Sequence, residues 1–216
     1  MELESAKNLG GIGALLLVIA GIGFFGTPFV GLLGIVGLIL VLVALKGMAD
    51  SYNESRIFKN AVYFFVAVLI GVVAFIGVLV ASLIYFLTNL PDWAQTYINN
   101  QDWQGLANAF SQHTSDLGSF GGSLWTLVTY VILALILFVM FVVAMFFFRR
   151  SLGLLATKTN VGLFGTTGLL MLIGAVLTIV IIGFFLIWIG WIILTIAFFS
   201  VRATAQTAPS PPTPPA

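Results

Sequence analysis

The 216-residue chain contains no cysteine and one histidine, and only 7% of it is charged. The missing cysteines remove disulfides, thiolate metal sites and cysteine nucleophiles together. The missing charge excludes more. A soluble domain carries roughly a quarter charged residues. With 61% hydrophobic residues the surface cannot be kept polar, and lipid must solvate most of it. Basic residues are also absent from three of the five segments that connect the apolar runs. Lys7, then Lys46, Arg56 and Lys59, then Arg149, Arg150 and Lys158, then Arg202 occupy alternate connections, and the others carry no Lys or Arg. Basic residues near span ends resist translocation, so this pattern predicts a multi-pass protein of the cell membrane with both termini cytoplasmic. The cytoplasmic side then holds eight bases against Glu2, Glu4, Asp50 and Glu54, and the outer side holds Asp92, Asp102 and Asp116. The N-terminus lacks the basic region and cleavage site of a secretory signal, and is expected to be retained.

What is present is apolar and long. Leu9–Phe25 and Phe29–Leu45 are split by Gly26, Thr27 and Pro28. One helix across both would reach ~55 Å at 1.5 Å per residue, against a hydrocarbon core of ~30 Å. Two short helices fit, with Gly and Pro supplying the turn. Residues 61–87 and 124–148 are single spans. Residues 163–201 carry no polar break and must fold back, with Gly183 as the expected turn. The fold class is an all-α polytopic bundle of six spans (9–25, 29–45, 61–87, 124–148, 163–182, 184–201), or four plus a re-entrant pair. An outer loop, 88–123, contains two short amphipathic helices: one begins near Pro91, and the second has an apolar face of Trp103, Leu106, Ala107 and Phe110. The tail, 203–216, is a Pro-rich segment that cannot pack.

Displacing the chain by 154 residues lays Leu9–Met48 on Leu163–Arg202 without gaps. Leu9, Gly11, Leu15, Leu16, Ile19, Leu32, Ile35, Ile39 and Leu40 meet identical residues. This is either a parallel repeat, of the kind many transporters carry, or the resemblance of two Leu/Ile/Gly-rich hairpins. Gly31, Gly34 and Gly37 recur every three residues, and Gly71 and Gly77 follow in the third span. Small residues let helices approach closely in lipid, which makes these five the expected helix-packing positions. Lys46, Arg56, Lys59, Arg149, Arg150 and Lys158 are read as topology anchors, and the basic residues also suit anionic lipid headgroups.

No Asp, Glu, Lys, Arg or His lies inside an expected span. Proton relays, coupled-ion sites and intramembrane catalysis rely on such groups. The spans offer hydroxyls and indoles instead, among them Thr126, Thr129, Thr178, Trp188 and Thr195. His113 with Asp116 is too little for a metal site, and Asp92, Asp102 and Asp116 read as solvated loop acids. No catalytic residue, metal or cofactor is expected, nor is a nucleic-acid partner. The leading expectation is a non-enzymatic membrane scaffold or assembly module, whose partners are the lipid bilayer and a second copy or another membrane protein. The alternative is a channel or uniporter-like carrier for a neutral or weakly polar solute. An enzyme acting on lipid through the loop residues ranks third.

Three segments carry a family resemblance. They are Leu9-Gly10-Gly11-Ile12-Gly13-Ala14-Leu15-Leu16, Arg56-Ile57-Phe58-Lys59-Asn60-Ala61 and Ala197-Phe198-Phe199-Ser200. Through them most of residues 1–202 resembles the domain-of-unknown-function family 996, prokaryotic and mostly archaeal membrane proteins. The resemblance implies a membrane location and a helical fold, and brings no functional residues with it.

Overall fold

The computed structural model describes residues 2–23, 28–88, 90, 92–112 and 124–201. The sequence readings at Gly26, Thr27, Pro91, His113, Asp116, Arg202 and 203–216 lie outside them. The described residues form eight α-helices and no strand: α1 (Leu3–Gly23), α2 (Pro28–Ser51), α3 (Ser55–Thr88), α4 (Asp92–Asn99), α5 (Trp103–Gln112), α6 (Leu124–Thr159), α7 (Gly162–Leu177) and α8 (Ile182–Phe199). All but α4 and α5 are long and apolar enough to cross a membrane. Helix is the only open structure that satisfies its own backbone in hydrocarbon.

The helices outrun the apolar runs, because their extensions also bury an apolar stripe. In α2 the buried residues are Val41, Ala44, Leu45, Met48 and Ala49, the i, i+3, i+4, i+7, i+8 spacing of one helix face. This carries the helix past Lys46 to Ser51. In α6, Leu152 and Leu155 are fully buried, so the segment 149–160, read from the sequence as a connection, is helix up to Thr159. Asn53 and Asn160 follow the two helix ends with φ of 50° and 55°, a left-handed conformation that asparagine tolerates well.

The chain divides into two compact units, Met1–Val66 with Val142–Ala216, and Ala67–Phe141. In the first unit, α1 packs on α2 and α8, and α7 packs on α8. Its core is aromatic. The Phe64 and Phe148 rings stack with centroids 4.4 Å apart, Phe148 meets Trp191 at 5.7 Å, and Phe164 meets Phe198 edge-on at 5.2 Å. Ser151 is fully buried and donates its hydroxyl to the Ile57 carbonyl at 2.8 Å, tying α6 to the start of α3.

The second hairpin does not turn at Gly183. The break is a 3-10 turn over Thr178–Val180, followed by Ile181 at φ 66°. A β-branched residue there is strained. The Ile181 N–H donates to the Thr178 carbonyl at 3.1 Å, and the Phe184 N–H to the Ile181 carbonyl at 3.1 Å. The turn therefore meets its own backbone needs without a glycine. Gly183 lies in the first turn of α8 instead. A Cβ there would collide with the Gly174 carbonyl and the backbone of Leu177 and Thr178. Its role is close approach of α7 and α8.

The two hairpins share register as well as sequence. Displaced by 154 residues, Gly23, the end of α1, falls on Leu177, the end of α7, and Pro28 falls on Ile182, so both second helices also start in step. In the first hairpin 13 faces 40 and 16 faces 37; in the second 171 faces 190 and 174 faces 187. Subtracting 154 turns the latter into 17 facing 36 and 20 facing 33, each within one residue of the contacts of the first hairpin, where Gly37 meets Leu17 and Gly34 meets Ala20.

In the second unit, the Tyr130 hydroxyl donates to Ser82 Oγ at 3.0 Å, and Ser82 donates to the Val78 carbonyl at 2.7 Å. Asp102 caps α5 by accepting the Gly105 N–H at 2.8 Å. Trp103 is exposed, Leu106 is half-buried, and Ala109 is the buried contact of α5.

Candidate functional site

The charged groups of the first unit gather where α2 turns into α3 and α6 ends. Tyr52 and Asn53 carry the chain out of α2, and Glu54 precedes α3. Glu54 accepts two hydrogen bonds from Arg56, at 2.7 and 3.1 Å, and lies 3.6 Å from Lys158 Nζ at the end of α6. Its side chain is only 12% exposed. The hydrogen bonds from Arg56 lower the carboxyl to about 2 from its ordinary 4.5, against a burial effect that pushes it up. Lys7 is compensated in the same way, 3.9 Å from Glu4. Among the described residues, Lys46, Lys59, Arg149 and Arg150 contact no carboxylate. Lys46 Nζ stands 5.9 Å from the centroid of the Phe58 ring, and the Arg150 guanidinium 5.5 Å from that of Phe146. The Arg149 backbone and stem cross α7 at Gly168, where a Cβ would lie 3.1 Å from the Arg149 Cα. The six residues read as anchors thus divide into Arg56 and Lys158, which close an ion-paired turn, and Lys46, Lys59, Arg149 and Arg150, which do not.

The five glycines read as packing positions also divide. A Cβ on Gly37 would lie 2.7 Å from the Gly13 carbonyl, and one on Gly34 3.4 Å from the Ala20 Cβ. At Gly31, Gly71 and Gly77 it would meet nothing within 4 Å. Close approach inside the described chain belongs instead to Gly10 and Gly11, which lie under Phe198 and Phe199, to Gly21 under Trp188, and to Gly13, Gly174, Gly183 and Gly190. The Trp188 indole also donates to the Val18 carbonyl at 3.1 Å, fixing α8 to α1.

Three threonine hydroxyls of the spans are bonded to their own helices. Thr167, Thr178 and Thr195 donate to the carbonyls of Leu163, Gly174 and Trp191 at 2.8–2.9 Å, each four residues back. In the loop, Asp102 serves as a cap, and Asp92 opens α4. Among the described residues no three His, Asp or Glu side chains group as metal ligands would. The sequence reading missed the Glu54–Lys158 pair, Ser151 and the Trp188–Val18 bond. Only Ser151 left a sequence signal, as a hydroxyl set between Arg150 and the apolar Leu152.

These features define a polytopic helical membrane protein whose best-packed region lies near its basic turns. The family model described as "Protein of unknown function (DUF996)" matches residues 33–192, and the chain belongs to that family. An uncharacterized protein of Methanocaldococcus jannaschii is 29% identical over 202 residues, covering 93% of this chain and 94% of its own. No solved structure matches the chain.

Proposed function

We propose that the protein is a non-enzymatic multi-pass module of the cell membrane, a scaffold or assembly partner, with both termini cytoplasmic. The close closure of its hairpins carries this reading. Gly13 and Gly37 bring α1 and α2 into backbone contact, Gly174 and Gly183 do the same for α7 and α8, and Thr167, Thr178 and Thr195 are hydrogen-bonded to their own helices. A solute path needs polar groups turned toward it. The module's partners on this reading are the bilayer and a second copy or another membrane protein. The alternative, a channel or carrier for a neutral solute, draws its support from the matched register of the two hairpins, since duplicated elements recur in transporters.

Purified protein in liposomes, screened for ion and small-solute flux, separates the two. The scaffold reading expects flux equal to that of empty vesicles. Reproducible flux that disappears on bulky substitution at Gly34 would refute it. The orientation is supported by the basic residues that cluster at one set of turns. In this cysteine-free chain, Thr96→Cys should react with an impermeant thiol reagent added outside intact cells, and Thr157→Cys should not. The reverse pattern overturns the orientation.

A further inference from the structure

We infer that the edge of the α3–α6 pair holds one anionic phospholipid, its phosphate between Lys59 and Arg150 and an acyl chain rising along Tyr63, Phe146 and Phe147. Three contacts fix the antiparallel register of the two helices. Ser151 bonds Ile57 at 2.8 Å, the Tyr63 and Phe147 rings meet at 5.4 Å, and Phe64 stacks on Phe148 at 4.4 Å. In that register Lys59 lies at the height of Arg149 and Arg150. The same contacts fix the side. Lys59 is one turn below Tyr63 on α3, and Arg150 is one turn from Phe146 on α6, the i, i+4 spacing that shares a helix face. Tyr63 contacts Phe147, Phe147 contacts Phe146 at 6.1 Å, and the Arg150 guanidinium sits over Phe146. Arg149 is turned the other way, toward Gly168 on α7. The two cations therefore flank one aromatic-lined edge.

This edge is open and its charge uncompensated. Lys59 and Arg150 are exposed, as are Tyr63 (55%) and Phe146 (44%). Among the described residues no carboxylate pairs with either cation, whereas Arg56 and Lys158 are taken by Glu54, and Lys7 by Glu4. Farther along the same helices, Val66 and Val143 are exposed and wholly apolar. Two cations beneath an aromatic and then an aliphatic strip match, in order, a phosphate, a glycerol backbone and a hydrocarbon chain. Arg provides a planar fork for phosphate oxygens and Lys a point charge, and Tyr63 stands one helical turn beyond Lys59 on α3.

The test is native mass spectrometry of the full chain in detergent, supplied with equal phosphatidylglycerol and phosphatidylcholine. The wild type should retain one phosphatidylglycerol in preference. A juxtamembrane cation is worth about a fivefold change in anionic-lipid affinity. Lys59→Gln or Arg150→Gln should therefore cost about fivefold, and both together about 25-fold. Lys59→Arg should keep the preference, and so should Lys158→Gln, which removes an equal charge at the Glu54 turn. The inference is overturned if the double variant retains phosphatidylglycerol as the wild type does. Equal loss in Lys158→Gln would also overturn it, because the effect would then be net charge. Displacement of the lipid by inorganic phosphate would show a simple anion site instead, and would equally sink the lipid assignment.

Discussion

Replacing Gly13 by alanine sets one methyl group against a wall of backbone. The new Cβ would lie 2.8 Å from the Gly37 carbonyl oxygen, 2.9 Å from the Val41 nitrogen and 2.8 Å from the Leu40 Cβ. Ordinary contact at such a place begins near 3.4 Å. A flexible side chain could move away, but a carbonyl and an amide inside α2 cannot, so α1 and α2 must part by about half an ångström. Overpacking of this kind costs about 1–3 kcal/mol. Alanine also gains about 1 kcal/mol over glycine in helix propensity, so the bare mutant understates the clash. Gly71→Ala supplies the correction, because its Cβ meets nothing within 4 Å and it takes the propensity gain alone. The difference between the two variants is the clash itself. At about 2–4 °C per kcal/mol for a chain of this size, Gly13→Ala should melt about 2–12 °C below Gly71→Ala. Circular dichroism of both proteins in one detergent reads this directly. A Gly13→Ala protein that melts at or above Gly71→Ala refutes the tight α1–α2 contact.

Two further substitutions probe the other contacts. Glu54→Gln should destabilise the α2–α3 turn with a defined pH profile. The folded carboxyl is lowered to about 2 from 4.5, so its contribution is fully present above about pH 4.5 and is lost as pH falls through about 2. The gap between wild-type and variant melting temperatures should be constant at neutral pH and close in acid, and a gap that widens in acid would contradict the assignment. Trp188→Phe removes the donor to the Val18 carbonyl while leaving an aromatic ring on Gly21. It should cost about 0.5–1.5 kcal/mol, read as a small fall in melting temperature, and an unchanged melt would mean that the bond contributes nothing.

The helical class and the number of apolar helices were legible in the sequence because length against bilayer thickness is a strong constraint. The helix ends were not. Composition marks where hydrocarbon stops, but α2 and α6 continue as far as Met48, Leu152 and Leu155 find a core to enter. The turn of the second hairpin was misplaced at Gly183 for a related reason. A glycine in an apolar run signals either a bend or a close neighbour, and the two are told apart only once Gly174 is seen opposite. Gly34 and Gly37 could be picked out by spacing, yet the identical argument selected Gly31, Gly71 and Gly77, which face open space. At the basic turns, sequence showed the charges but not their pairing. Glu54 is four residues from Asp50 and looks equivalent to it, and only the approach of Lys158 from 104 positions away distinguishes them.

The α7–α8 turn bears on how the protein is made. Ile179, Val180, Ile181 and Ile182 are all well exposed, with Ile179 and Ile181 at 71% and 70%. The one polar side chain of the turn, Thr178, is already bonded to Gly174 at 2.9 Å. A hairpin with such a tip can enter a bilayer as a preformed unit, because no hydrated segment has to be dragged through hydrocarbon ahead of it. The connection between α3 and α6 is the opposite case. It carries Asp92, Asp102, several amides and two short helices, and each charge on it resists passage by about 2.5–3.5 kcal/mol on insertion scales. Biogenesis of one small chain therefore poses two separate problems. On the proposed orientation a translocation apparatus must move the loop after α3, while the last two helices can partition into lipid on their own as soon as they leave the ribosome.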